Sequence, residues 1–369
     1  MGYEQSKNDY SLFIKRTNGL LTIAVVYVDD IIVTGSNEEK ISRFKEHLHS
    51  VFNIKDLGVL NYFLGIEVSH LQAGIVITQK KFTKELLLDC NLDVSRIAKT
   101  PLPANLKLLA YEGELHSDPE HYRKIVGKLN FLSHTRPDLA FSVQTLSQFM
   151  QQPRLYHVKA LQHVLRYVSH TLGQGIILYA TDQLSLIAYS DSNWASCPNT
   201  RRSVTGYVLL LGISPISWKS KKQPTISKSS SEAEYRAMAA ASSETTWLIR
   251  LLTKLCVLNL KPVALHCDNQ SAIHIGKNHV FHERTKHIEL DCHFTREKVL
   301  EGLIVLTYTP AAEQHADIMT KALSSFQHNK LKSKLGMYSD VDTVPSLRGD
   351  VSDDTAECAT SDDEYAEGF

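Results

Sequence analysis

Apolar and polar positions divide the chain into a helical middle flanked by two strand-rich regions. Between Leu184 and Trp194, Leu186, Ala188 and Ser190 fall on one face and Ile187, Tyr189 and Asp191 on the other. This period of two predicts a strand, with Asp191 where apolar character stops. Ser203 to Leu211 and Ser214 to Ser220 predict two more strands, and Gly212 turns the second into the third, so the three are expected to be antiparallel. A long helix is expected from about Ser231 to Leu255. A strand from Val263 to Asp268 then ends in an acid and leads to a short helix from Gln270 to Lys277. A helix from His287 to Leu300, a strand from Leu303 to Tyr308 and a final helix from Glu313 to Leu335 complete the pattern. Strands first, then alternating helix and strand, imply a mixed sheet with helices packed on it.

Upstream, two apolar runs from Leu20 to Val33 flank Tyr27-Val28-Asp29-Asp30 and read as a hairpin with adjacent carboxylates at its tip. Ile41, Phe44, Leu48 and Val51 give an amphipathic helix over Glu38 to Val51. Leu60 to Val68 and Gly74 to Thr78 are strand-like, Lys80 to Cys90 is helical, and Thr100-Pro101-Leu102-Pro103 breaks the chain. Helices dominate from Pro119 to about Thr171. On the last of them Lys159, His163 and Arg166 lie together, either as a solvated face or as a nucleic-acid track.

Length and composition narrow the class. The 369 residues suffice for two or three domains, and 43% hydrophobic with 22% charged is ordinary for a globular protein. The most apolar run carries Asp29 and Asp30 at its centre, which argues against a membrane span, and the first residues hold no secretory signal. Six cysteines without a Cys-x-x-Cys pair suit a reducing compartment, so an intracellular location, cytoplasmic or nuclear, is expected. The zero formal charge conceals an asymmetry. Ten acids and one base lie beyond residue 338, leaving 39 Lys and Arg against 30 Asp and Glu in the body, which suits a polyanionic partner. The acidic stretch 338–369 is expected to be disordered.

Four carboxylates stand at comparable places: Asp191 and Asp268 at strand ends, Glu234 in the first turn of the long helix, and Asp317 near the start of the last helix. Singly, each has a structural explanation as a turn residue or helix cap. For Glu234, the capping box Ser231-x-x-Glu234 competes with Ser229-x-x-Glu232, which would leave Glu234 free. Together, four hard oxygen donors at one end of a sheet would bind two Mg2+ ions, with Mn2+ as a possible substitute. Asp29 and Asp30, side by side in an apolar hairpin, likewise call for a divalent cation.

Tyr27-Val28-Asp29-Asp30 resembles the Tyr-x-Asp-Asp motif of reverse transcriptases, and its flanks resemble the copia-type retrotransposon polymerase. Downstream, six blocks match in order the ribonuclease H domain of the same family: Tyr189 to Ala195, Arg201 to Tyr207, Ser229 to Tyr235, Cys267 to Ala272, Arg284 to Ile288 and Ala316 to Lys321. The resemblance implies an α+β or α/β multidomain chain. A truncated palm would occupy 1–80, a helical thumb and connection 81–182, and a ribonuclease H-like five-stranded mixed sheet with flanking helices 183–337. It places the catalytic and metal-binding set on Asp191, Glu234, Asp268 and Asp317. Glu234 is preferred to Glu232 because Glu234-Tyr235-Arg236-Ala237-Met238 matches the family's acid followed by an apolar helix face.

The implied chemistry is hydrolysis of the RNA strand of an RNA·DNA hybrid, leaving a 5′ phosphate. One metal would activate water and the other stabilise the leaving 3′ oxygen, with Asp191 binding both; no small-molecule cofactor is implied. Asn269 and Gln270 are candidates for 2′-hydroxyl contacts, and Lys219, Lys221, Lys222 and Lys228 for phosphates. The loop Thr309 to Gln314 lacks the His of some relatives, leaving only His315 close by. His279, His282, His287 and His293 with Cys292 fit no tetrahedral zinc spacing. A polymerase needs a further palm acid, and only Glu4 and Asp9 precede Tyr27, so DNA synthesis is not expected of this chain. Two alternatives to an active nuclease are a catalytically silent remnant that binds nucleic acid and a non-functional truncated reverse transcriptase.

Overall fold

The computed structural model describes residues 2–52, 54–90, 96–277 and 289–339, and these residues form three sheets. The first is an antiparallel meander of β1 (Glu4–Gln5), β2 (Leu12–Thr17), β3 (Leu20–Tyr27) and β4 (Asp30–Gly35). Asn18 and Gly19 close β2 onto β3 with φ of 53° and 76°, the left-handed pair that a two-residue hairpin requires. Val28 takes φ 48° at the next hairpin, where a β-branched side chain is strained. The amphipathic helix expected after it is α1 (Glu38–Phe52).

The helical middle comprises α2 (Lys80–Asp89), α3 (Pro119–Leu132), α4 (Ala140–Ser147) and α5 (Leu155–His170). Asp118 caps α3 by accepting the His121 amide, and Pro119 fills the first helical position, where no amide donor is needed. The apolar stripes meet in a core that includes Leu86, Ile125, Val126, Leu146 and Val164. The break at Arg136 is a buried node. Arg136 Nε and Nη2 donate to Asp138 Oδ1 and Oδ2 at 2.9 and 2.8 Å, and Tyr167 Oη donates to Asp138 Oδ2 at 2.7 Å. Arg136 Nη1 donates to the Thr171 carbonyl at 3.1 Å.

The second sheet joins distant parts of the chain. Its order begins with β5 (Tyr62–Phe63), β6 (Ile66–Leu71) and β7 (Gly74–Thr78), all antiparallel. It continues through β8 (Gly175–Tyr179), which the hydrophobic pattern did not single out. Strands from both sides of residues 80/81 therefore share this sheet.

The third sheet holds the candidate chemistry. Its strands are β9 (Leu186–Asn193), β10 (Val204–Leu211), β11 (Ser214–Lys222), β12 (Val263–Cys267) and β13 (Ile304–Tyr308), in the order β11-β10-β9-β12-β13. β9, β10 and β11 are antiparallel, as expected, while β12 runs parallel to both β9 and β13. This is the five-stranded mixed sheet of the ribonuclease H-like fold. The long helix α6 (Ser230–Lys254) packs on it with α7 (Gln270–Lys277) and α8 (Glu289–Leu300). Tyr235, Met238, Ala241 and Ile249 of α6 bury against Ala188, Leu209 and Leu265 of the strands.

Three expectations are corrected. Asp191 does not end its strand, because β9 pairs with β10 through Asn193, opposite Val204. Glu234 opens the second turn of α6 and does not lie in its first, since Ser229 is the N-cap. The final helix from Glu313 to Leu335 is interrupted: two 3-10 turns, Ala311–Glu313 and His315–Met319, precede α9 (Ser325–Lys334). Gln314 separates the turns; its side-chain Nε2 bonds the Ser190 carbonyl at 3.0 Å, fastening this segment to β9 in place of a continuous helix. After α9 the strand β14 (Met337–Tyr338) returns to pair with β8.

Candidate active site

The parallel pairing of β9 with β12 sets Asp191 and Asp268 at the same end of the third sheet. Asp191 is 1% exposed. Thr320 Oγ1 donates to its Oδ2, and Lys321 Nζ lies 3.4 Å from the same oxygen. Glu234, 4% exposed on the sheet-facing side of α6, accepts the Ser192 amide on Oε1 at 3.0 Å. The competing capping boxes resolve in favour of Ser229. Its hydroxyl accepts the Glu232 amide, and Glu232 is occupied by the Lys228 amide at 2.9 Å and Arg236 Nη2 at 3.0 Å, which leaves Glu234 for the site. Asp317 sits on the second 3-10 turn and ion-pairs with Lys321 at 2.8 Å.

The electrostatics show the four acids to be neighbours. Burial, then Asp191 and Asp268, raise Glu234 well above the ordinary carboxylate range. Burial and Asp191 raise Asp268, and the same two causes push Asp317 up to about 6. Burial opposes the charge on Lys321, but Asp191 and Asp317 hold its ammonium above its usual range. Four carboxylates thus face one ammonium, and further positive charge would relieve the excess. Ligand atoms of Glu234, Cys267 and Asp268 also lie within 4.8 Å of one another. Burial and Glu234 raise the Cys267 thiol, so it stays protonated and donates to Glu234 Oε2 at 3.8 Å. A hard, oxygen-rich set with uncompensated charge fits a hard divalent cation rather than a thiolate-bound metal.

Several supporting residues were not singled out in the sequence. Gln223 Nε2 bonds Thr205 Oγ1 and the Ala233 carbonyl, both at 3.0 Å, and Ser192 Oγ at 3.3 Å, tying β10, α6 and β9 together. Lys321 did have a sequence signal, a cation four residues after an acid. Gln223 and Gln314 had none, because their partners are distant in sequence.

Residues 1–104 match the family model described as reverse transcriptase (RNA-dependent DNA polymerase). The chain is 40% identical over 337 residues to the retrovirus-related Pol polyprotein from transposon RE1 of Arabidopsis thaliana, covering 91% of this chain and 23% of the relative. It is 40% identical over 349 residues to that from transposon RE2 of the same plant, covering 95% and 24%. The chain belongs to the copia-type retrotransposon Pol family. It spans about a quarter of the length of these relatives. Among solved structures, the N-terminal RNase H domain of rv2228c from Mycobacterium tuberculosis aligns at 13% identity and TM-score 0.29, over 41% of this chain and 97% of that one. The fold assignment rests on strand order and direction, independently of that score.

The remaining residues singled out in this Pol chain are dispersed. Asp29 and Asp30 are exposed at the β3–β4 hairpin, and among the described residues they join no group of three potential ligands. Asn269 Oδ1 accepts the Ala272 amide at 2.9 Å and so caps α7, while Gln270 is exposed on its first turn. Lys219 and Lys221 are exposed on the edge strand β11, and Lys228 is exposed before α6. Lys222 is held by Gln148 Oε1 at 2.6 Å. Of the Lys159, His163 and Arg166 group, His163 Nε2 bonds the Thr100 carbonyl at 3.1 Å. His315 stacks on Tyr189 with ring centroids 4.1 Å apart, and its Nδ1 bonds the Glu313 carbonyl. Burial pushes this imidazole down to about 4. The 284–288 block and His279, His282 and His287 lie outside the described residues, as does the acidic stretch from 340. Among the described residues no helix is long and apolar enough to cross a membrane.

Proposed function

We propose that this chain is a metal-dependent hydrolase that cuts the RNA strand of RNA·DNA hybrids, with Asp191, Glu234, Asp268 and Asp317 as its metal-binding set. The observation that carries the reading is the convergence of three sequence-distant carboxylates, Glu234, Asp268 and Asp317, on Asp191, with burial and Asp191 raising all three. The hybrid follows from the family's chemistry, since an RNA-dependent DNA polymerase generates RNA·DNA duplex as it copies. Bound divalent ions would supply activation of the attacking water and stabilisation of the leaving 3′ oxygen. The chain's own part is to hold the oxygens still. Thr320 fixes one oxygen of Asp191, the Ser192 amide fixes one of Glu234, and Gln314 fastens the segment bearing Asp317 to β9. Asp29 and Asp30 are exposed and, among the described residues, join no such group, so we place the metal-binding set on the third sheet.

The test is cleavage of a hybrid labelled on its RNA strand, with Mg2+, comparing the chain with Asp268→Asn. Cleavage by the first and none by the second is expected. Equal cleavage by both would remove the acid set from the mechanism, and hybrid binding without cleavage would leave a silent nucleic-acid-binding remnant.

A further inference from the structure

We propose that Lys321 is the resident counter-ion of the acid cluster, and that a divalent cation fills the Asp191–Asp317 side only by displacing its ammonium. The inference rests on the metal-binding reading above. Lys321 Nζ lies 2.8 Å from Asp317 Oδ1, and 3.4 and 3.5 Å from Asp191 Oδ2 and Oδ1. An ion bridging those carboxylates would need the same space, because a cation draws its oxygens to within about 2–2.6 Å. The side chain of Lys321 is 32% exposed, against 2% for Asp191 and 16% for Asp317, so the ammonium stands between the buried oxygens and solvent. Its backbone is fixed, since the Lys321 amide donates to the Asp317 carbonyl at 3.0 Å. Only the flexible four-carbon stem must swing for the site to open.

The opposite side differs. Among the described residues, neither Glu234 nor Asp268 has an ion-pair partner, and with Cys267 their ligand atoms already cluster within 4.8 Å. The cluster therefore has an open half and a latched half. Glu234 and Asp268 would hold a divalent ion without displacing a resident cation, whereas Asp191 and Asp317 would hold one only after Lys321 has moved. Displacement forms no covalent bond: the ammonium exchanges two carboxylates for water, and the carboxylates exchange it for the metal.

Two measurements without nucleic acid test this. In a Mn2+ titration followed by the EPR signal of free ion, Lys321→Met is expected to bind its weaker equivalent roughly tenfold or more tightly than the wild type, and Lys321→Arg to resemble the wild type. In the wild-type chain, Mg2+ is expected to accelerate acetylation of the Lys321 amine severalfold while other lysines react unchanged, as read by peptide mass spectrometry. Equal Mn2+ binding by wild type and Lys321→Met, or unchanged labelling of Lys321 when Mg2+ is bound, overturns the displacement. Absence of Mn2+ binding in both proteins overturns the metal site itself and the displacement with it. Absence of hydrolysis with displacement intact bears only on the hydrolase reading.

Discussion

The Ser192 amide donates to Glu234 Oε1 at 3.0 Å, so the residue next to Asp191 on β9 also fixes the acid on α6. Two glutamates two residues apart consequently have opposite tasks. Glu232 secures the helix start through the Lys228 amide and Arg236, while Glu234 faces the cluster. Glu232→Gln keeps one acceptor oxygen for the Lys228 amide but loses the charge facing Arg236, and should cost about 0.5–1 kcal/mol with cleavage within about twofold of wild type. Glu234→Gln keeps the bond from Ser192 but loses the charge. Its cleavage rate should fall at least about a hundredfold with no loss of melting temperature in EDTA. Paired thermal melts and hybrid-cleavage rates check both, and a reversed pattern would move the site to Glu232.

The contribution of the acid cluster to metal-free stability should grow as the solution is acidified. Asp317 is raised by burial and Asp191 to about 6, against roughly 4 for an unfolded aspartate. The folded form therefore binds its proton more tightly. That stability is complete below the unfolded value and is lost as pH increases through about 6. Glu234 and Asp268, both raised, act in the same direction. Burial pushes His157, His315 and His328 down to about 4, so these imidazoles act in the opposite direction over the same range, and Asp138, held low by Arg136 against its burial, joins them in stronger acid. In EDTA melts between about pH 7 and 5, the wild type should gain stability relative to Asp317→Asn as pH falls, a difference from which the histidine contributions cancel. Saturating Mg2+ should reverse the pH trend of that difference, because metal binds the ionised form.

Gly206 lies directly opposite Asp191 in the β9–β10 register. A Cβ there would come within 2.5 Å of Thr320 Cγ2 and 2.6 Å of Met319 Cβ. Gly206→Ala should push the 315–321 segment off the sheet, costing about 1–3 kcal/mol and displacing Asp317 and Lys321 together. Thermal melts should register the first effect. A loss of Mn2+ affinity in the folded variant should register the second.

The Arg136–Asp138 pair is buried, with side chains 1% and 0% exposed. Asp138→Asn leaves the guanidinium without its charge partner and should cost about 3–5 kcal/mol. Lys332 on α9 bonds Tyr167 Oη at 3.2 Å, and Tyr167 in turn bonds Asp138, so the damage should reach the third sheet. Hydrogen exchange should show α9 losing protection along with α5. Loss confined to α5 would uncouple the two regions.

What the sequence made legible was whatever repeats locally. The alternation along β9 and β10, the spacing along α6 and the hairpin at Tyr27 all emerged with nearly correct bounds, since side-chain periodicity is a property of consecutive residues. The four acids could be grouped because each lies near an element boundary that periodicity locates. Boundaries themselves were harder to place. β9 extends past Asp191 because pairing with β10, not apolar character, carries it to Asn193. The helix expected from Glu313 fails because Gln314 bonds Ser190, 124 residues away, a partner invisible to any local pattern. The sequence assigns Lys321 no role of its own, because that role requires Asp191 and Asp317 to be beside it.

The return of β14 to β8 constrains how this chain acquires its structure during synthesis. Met337 pairs with Ile176, and β8 in turn pairs with β7, placing Ile176 opposite Ile77. A ribosome must therefore release the whole third sheet before the second can gain its outermost strand. Until then β8 presents an open edge of unpaired amides and carbonyls to the surroundings. Nascent chains halted before residue 337 would carry that exposed edge, and chaperones that recognise extended apolar segments would find Gly175–Tyr179 available for binding.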